Sequence, residues 1–290
     1  MAQLDRATLQ ALEARLASVN DFSPRLKAFI YGPYGVGKTV TTAVIGSQLL
    51  KGTGKKTLFI DTSDGYRALK NHPKILPYVD AMPFTSLGAI NKVVEAIASR
   101  QGKFADYGAI VLDEISTMTE RHLISIQAKR YGGTNPDEMP PADWDDYRRL
   151  VTHMKGVMQF MYEDAGLHVF LVTHEKQEVK DNIVVKEAKP NLQPSVASAI
   201  FGDMDVIARQ TSVRKRVDGD WDYVRELQAW PTKTIVAKSR IGGLPFQVGI
   251  LEFTDAAISW LNREDSDTEI ATPNFVNTDE EEEYTIGLDR

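Results

Sequence analysis

The sequence predicts an α/β fold: a mostly parallel central sheet with helices on both faces and antiparallel hairpins toward the C-terminal end. Three observations predict it. Four nearly continuous apolar runs, 26–32, 56–61, 107–113 and 167–173, have the composition of strands covered on both sides. Stretches of helical periodicity separate them, the alternation that accompanies a doubly wound sheet. A glycine-rich turn joins the first run to the first helix.

In chain order, residues 1–22 predict an amphipathic helix, with Leu9, Leu12, Leu16 and Val19 at three- and four-residue steps. It serves either its own core or, as an oligomerisation arm, a neighbour's. Residues 23–262 form the core domain. Its helices are expected around 38–51, 88–101, 115–130 and 143–163. In the last of these Trp144, Tyr147, Val151, Met154, Val157, Met158 and Met161 mark one apolar face, where methionine reads as core filler. After residue 175 the signals become antiparallel. "EVKDNIVVKEAK" reads as a hairpin turning at Asp181-Asn182, and "VRKRVDGDWDYVREL" as another turning at Asp218-Gly219. Thr234–Ala237 is a short β-type run, and "FQVGILEF" (246–253) reads as a last strand. Over residues 263–290 hydrophobic residues thin out and acids dominate, which reads as a disordered acidic tail.

Composition sets the class. A 42% hydrophobic, 26% charged chain of 290 residues is ordinary for a soluble globular protein. No apolar run reaches the roughly 18 residues of a membrane span, and the N-terminus lacks a secretory pattern, so the expected location is cytoplasmic. Cysteine is absent, which removes disulfides and Cys-based zinc sites. The net charge of −6 is unevenly spread: residues 264–290 hold ten acids and one arginine, leaving the other 263 residues at +3.

The chemistry starts at "GPYGVGKT" (32–39), which matches GxxxxGK[ST] after a buried strand and before a helix, the setting that gives the pattern its meaning. Gly32, Pro33, Tyr34, Gly35, Val36, Gly37, Lys38, Thr39 and Val40 are the expected nucleotide-binding residues. Glycines let amide N–H groups turn inward around phosphate oxygens. The helix N-terminus adds its positive end. Lys38 reaches the β- and γ-phosphates, and Thr39 ligates Mg²⁺. The partner acid at a strand end is Asp113, holding Mg²⁺ through water. Glu114 follows it and has two readings: the group that orients or deprotonates the attacking water, or a carboxylate favoured at a helix start. His174, ending the run "HVFLVTHE", reads either as a γ-phosphate sensor or as a capping histidine. A guanine-reading NKxD is absent, so ATP is the expected nucleotide.

The segments "IYGPYGVGKT", "FIDTSDG", "IVLDEIS", "FLVTHEK" and "AKSRIGG" resemble the RecA-core ATPases. The chain is most similar to phage nucleotide-binding P-loop proteins of the Sak-four type, single-strand annealing or recombination factors. The resemblance runs from about residue 26 to 253. It implies a RecA-like core and, if the gene is phage-borne, the host cytoplasm as location. It also implies an oligomer, ring or filament, with nucleotide at the subunit interface, into which Lys238 and Arg240 project from a neighbour to the γ-phosphate. The sequence departs from the family where a water-activating glutamate is usual: Asp61-Thr62-Ser63-Asp64-Gly65 offers only Asp64, one residue late. Either Glu114 takes that role or hydrolysis is slow.

The resemblance further implies single-stranded DNA binding by the loops 129–142 and 176–195. Basic residues there and nearby are Lys129, Arg130, Tyr131 beside them, Lys180, Lys186, Lys189, Arg214, Lys215 and Arg216. Cations with an occasional aromatic suit a groove that tracks a single strand. The tail "DEEEEY" (279–284) mimics nucleic acid, recruits a partner such as a single-strand binding protein, or simply solubilises. The combined expectation is an ATP-hydrolysing phage recombinase that anneals or exchanges strands. The alternatives are an ATP-switched DNA-binding module with little hydrolysis, and a helicase-type motor.

Overall fold

The computed structural model describes residues 5, 25–133, 135, 138–180, 183–217 and 220–262. The expected helix over 1–22, save Asp5, and the tail over 263–290 lie outside the described residues.

Strands are β1 (Lys27–Gly32), β2 (Lys56–Asp61), β3 (Val79–Pro83), β4 (Tyr107–Asp113), β5 (His168–Lys180), β6 (Ile183–Pro190), β7 (Val206–Val217), β8 (Asp220–Gln228), β9 (Lys238–Ser239) and β10 (Gln247–Gly249). Helices are α1 (Lys38–Leu49), α2 (Leu87–Ala98), α3 (Ile115–Tyr131), α4 (Trp144–Gln159), α5 (Pro194–Phe201) and α6 (Ile250–Leu261). The sheet runs β10-β8-β7-β1-β5-β4-β2-β3. From β7 to β3 every neighbouring pair is parallel, while β8 and β10 continue antiparallel.

The period-2 alternation of the strands builds two cores. Phe29 and Tyr31 point to the face covered by α2, α3, α4 and α5. Ala28 and Ile30 point to the face covered by α1 and α6. Both faces are dry, which is why the strands read as unbroken apolar runs. Helix starts follow local chemistry. Ser86 caps α2 by accepting from the Ala89 N–H at 3.1 Å, and Leu87, Ile90, Val93, Val94 and Ile97 then repeat at helical spacing on its buried side. Asp143 and Asp146 form a reciprocal capping box at the head of α4.

Three elements differ from the sequence reading. The run 246–253 is three residues of β10 followed by α6. An apolar stretch does not distinguish strand from buried helix, and Glu252 accepts from the Gly249 N–H to start the helix. Thr234–Ala237 makes only an isolated bridge, Ala188 to Ile235, and the strand there is the two-residue β9. The helix expected over 143–163 is α-helical to Gln159 and closes in a π-helical turn, Phe160–Asp164. The edge strand β3 and the short helix α5 carried no legible signal.

Register fixes where the hairpins point. Gly32 at the end of β1 pairs with His174, and β5 continues six residues further to pair with β6. Tyr31 pairs with Arg209, and β7 continues to Val217 against β8. Both hairpins therefore project beyond the sheet edge that carries the glycine-rich turn.

Candidate active site

The turn between β1 and α1 is shaped by two close approaches. A Cβ on Gly32 would fall 2.2 Å from the Gln210 carbonyl oxygen, so only glycine lets β1 end against β7. Gly37 has φ 86°, the left-handed region, and turns the chain into α1. Gln210, fully buried, donates through Nε2 to the Val36 carbonyl at 2.7 Å and ties the turn to β7. Gln210 lay outside the sequence reading; only its place next to the end of β1 in the sheet gives it this role.

Lys38 is buried and donates to the Gly32 and Pro33 carbonyls at 3.0 and 2.8 Å. Its Nζ lies 3.2 Å from His174 Nδ1. Burial lowers the Lys38 pKa, while the charges of Asp113, Glu114 and Glu175 work to raise it. The Tyr34 ring, exposed on the turn, stacks on the His174 ring at 3.6 Å. Tyr34, His174 and Lys38 are thus one contiguous group.

Thr39 Oγ1 donates to Asp113 Oδ2 at 2.6 Å. Burial raises the Asp113 pKa to about 6; the Thr39 hydrogen bond opposes this and the neighbouring Asp61 charge adds to it. Asp61 is paired with Asp113 across β2 and β4. It accepts from the Ser63 and Tyr66 N–H groups at 2.6 and 3.0 Å, folding residues 62–66 over the site. Two strands ending in aspartate at equal depth is the pattern in which Asp61 was legible, though only Asp64 was singled out. Asp64 itself is paired with Arg67 at 2.6 Å. It is a loop carboxylate held by a neighbour three residues on.

Glu114 sits between β4 and β5. Its Oε1 accepts from Ser116 Oγ, from Thr173 Oγ1 at 3.0 Å and from the His174 N–H at 3.3 Å; Oε2 accepts from Thr117 Oγ1 at 3.0 Å. Burial pushes its pKa up, but the Ser116 and Thr173 hydrogen bonds and the His174 contacts outweigh it, and the net shift is down. The carboxylate is oriented and held ionised. A hydroxyl beside a buried carboxylate, a cradle that admits no Cβ at its root and a lysine at its mouth fit Mg²⁺ and a triphosphate by donor type.

Other expected residues fall elsewhere. Lys238 and Arg240 both lie against the start of β7, at the opposite end of β1 from the glycine-rich turn. Lys238 Nζ donates to the Phe201 and Gly202 carbonyls at 2.9 Å each, and Arg240 pairs with Asp205 at 3.0 Å and donates to Gly202. Asp205 in turn accepts from the Lys27 N–H. The two cations therefore have intrachain partners at the end of α5. Arg130 is likewise committed, to Asp143 and Asp146 at 2.6 and 3.1 Å. It ties the end of α3 to the head of α4. Tyr131 lies beside it, with Arg130 5.2 Å from its ring, and Lys129 is exposed at the end of α3. Lys215 pairs with Glu226. Arg214 and Arg216 are exposed on β7, and Lys189 is half-buried on β6. Lys180 and Lys186 fall outside the residues whose side chains are described. Arg225 on β8, not singled out from the sequence, lies against the turn: a Cβ on Gly37 would be 2.5 Å from its Nε.

The family model that matches the chain is described as an AAA domain and covers residues 25–241. No curated protein matches it. The match takes in β1 through β9 and every residue of the site just described, and the chain belongs to the AAA domain family of P-loop NTPases.

Proposed function

We propose that this protein is an Mg²⁺-dependent ATPase that acts on single-stranded DNA as a homo-oligomer. The observation that carries the ATPase reading is the convergence of Lys38, Thr39, Asp113, Glu114 and His174 on the tips of three adjacent strands, β1, β5 and β4. Bound Mg²⁺–ATP supplies the phosphoryl group and a metal charge that neutralises the phosphates. The chain's own residues supply the rest. Amide N–H groups of 34–37 and the Lys38 ammonium hold the phosphates. Thr39 and Asp113, already hydrogen-bonded to each other, would hold the metal. Glu114, ionised and fixed by four donors, orients the attacking water and takes its proton. His174 reports the state of the phosphate end to β5, which runs on into the projecting hairpin.

The DNA part of the proposal rests on the sequence resemblance and on the two hairpins that rise past the edge of the site. Exposed cations at Arg214 and Arg216 and the half-buried Lys189 lie on those hairpins. The test is phosphate release from ATP with and without a single-stranded oligonucleotide, together with the rate of annealing of complementary strands. Stimulation of both is expected; release unaffected by DNA and no acceleration of annealing overturns the DNA part while leaving the ATPase.

One observation favours a second reading, an ATP-dependent switch with slow turnover. Glu114 Oε1 already accepts from Ser116, Thr173 and the His174 N–H, which leaves that oxygen little capacity for a water.

A further inference from the structure

A cleft of about 300 Å³ opens at the end of the sheet opposite the glycine-rich turn, at the lower edge of the ~300–1,000 Å³ range of small-molecule sites. It lies where β4 and β5 begin, at Gly108 and His168. One wall is apolar: Leu50, just past α1, faces Ile258 and Leu261 of the last turn of α6. A Cβ on Gly108 would fall 2.6 Å from Leu50 Cδ2 and 3.0 Å from Lys55 Cδ, so a larger residue there would crowd the cleft. Arg25 and Lys55 bring two cations, and among the described residues that line it none is a carboxylate. His168 is only 8% exposed. Its Nδ1 accepts from the Leu26 N–H at 3.1 Å, which places the proton of the neutral ring on Nε2. Burial, then the Arg25 and Lys55 charges, lowers its pKa to about 4, so the ring is neutral at pH 7. Nε2 has no partner among the described residues, and a donor on so buried a ring ordinarily finds one. That nitrogen keeps accessible surface, so a ligand in the cleft can reach it.

These features share one chemistry. Two cations and a buried N–H donor, with no acid beside them, select an anion. A guanidinium matches the paired oxygens of a carboxylate. The apolar wall takes a hydrocarbon body, the usual make-up of a site in which a few polar groups orient an apolar ligand. A bare anion would leave Leu50, Ile258 and Leu261 without a counterpart. We propose that this cleft binds a small monocarboxylate with a hydrocarbon body, its carboxylate held by Arg25, Lys55 and the His168 Nε2–H. Arg25 Nε donates to the Gly166 carbonyl, which fixes one edge of the guanidinium. The cleft and residues 32–39 lie at opposite ends of α1, and the inference does not depend on the nucleotide reading.

Calorimetric titration of the full chain with octanoate, octanol, acetate and inorganic phosphate tests it. The imidazole NMR resonances of His168, assigned by their loss in His168→Gln, give the local readout. Saturable octanoate binding that shifts those resonances is expected, with the other three probes weaker by about tenfold or more. Lys55→Glu, at an exposed position, is expected to weaken octanoate about tenfold with the melting temperature unchanged. Octanoate that does not bind, that leaves His168 unmoved, or that binds Lys55→Glu as it binds the wild type overturns the proposal. Phosphate as tight as octanoate would mark a bare anion site, and octanol as tight an apolar one; either overturns it. A His168 shift with a synthetic peptide of residues 264–284 and none with octanoate would assign the cleft to an acidic peptide, and likewise overturns it.

Discussion

Lys38 Nζ lies 3.2 Å from His174 Nδ1, and the His174 N–H in turn donates to Glu114 Oε1. Lys38, the tip of β5 and the Glu114 carboxylate are therefore joined through His174. Burial lowers the Lys38 pKa, and burial, then the Lys38 charge, lowers that of His174. Both groups lose hydration in the free protein that an added polyanion would compensate.

Lys38→Ala is accordingly expected to abolish binding of ATP and of tripolyphosphate without lowering the melting temperature, because removing a buried cation relieves a desolvation cost. Calorimetry and a thermal melt on the same sample check it. A variant that binds ATP normally would remove Lys38 from the phosphate site.

Gly32→Ala tests how the turn is seated. The added methyl meets the Gln210 carbonyl oxygen at 2.2 Å, a backbone atom within the sheet. A loss of about 2 kcal/mol or more is expected, measured by urea unfolding. Gly35→Ala meets nothing within 4 Å, but its φ of 76° makes it costly for a different reason, so the pair separates crowding from conformation.

Much of this architecture was legible in the sequence and some of it was not, for physical reasons. β1, β2 and β4 carry apolar runs because both faces are buried, and the start of β5 does so for the same reason. GxxxxGKT sets Lys38 and Thr39 by chain geometry alone. Asp113 was legible because a strand ending in an acid is a local pattern. Gln210 and Arg225 were not, because their importance comes from β7 and β8 lying next to β1, a long-range pairing without a local signature. The helix α6 hid inside an apolar run, and Arg130 looked free because its partners Asp143 and Asp146 lie on a different helix. The pair Lys238 and Arg240 reads as a phosphate contact in sequence, yet Asp205 and the carbonyls closing α5 give it an intrachain role.

That role makes Arg240→Ala a stability variant. The Asp205 carboxylate, almost fully buried, keeps its bond from the Lys27 N–H but loses its ion-pair partner. A loss of about 1 kcal/mol is expected, reduced by the exposure of the arginine. Urea unfolding of the isolated chain measures it. Turnover that collapses in Arg240→Ala with unfolding free energy unchanged would instead return the residue to a neighbour's phosphate site.

Acid should weaken the fold through His168. It is buried and its Nδ1 accepts from the Leu26 N–H at 3.1 Å. Burial, then the Arg25 and Lys55 charges, lowers its pKa to about 4 from 6.5. The folded chain binds fewer protons than the unfolded one between those values. The stabilisation is therefore complete above pH 6.5 and is lost as pH falls toward 4, a change of roughly 3 kcal/mol from this residue. Unfolding free energies from pH 7.5 to 4.5 check the slope, and His168→Gln, which keeps an acceptor but does not titrate, should flatten it.

Single-turnover hydrolysis of Mg²⁺–ATP by Glu114→Gln beside the wild type tests the central claim most directly. Glutamine preserves size but neither the charge nor the proton-accepting role, so ATP affinity should persist while the hydrolysis rate drops about 10²-fold or more. Hydrolysis by Glu114→Gln at the wild-type rate, with ATP bound equally well, would contradict the account.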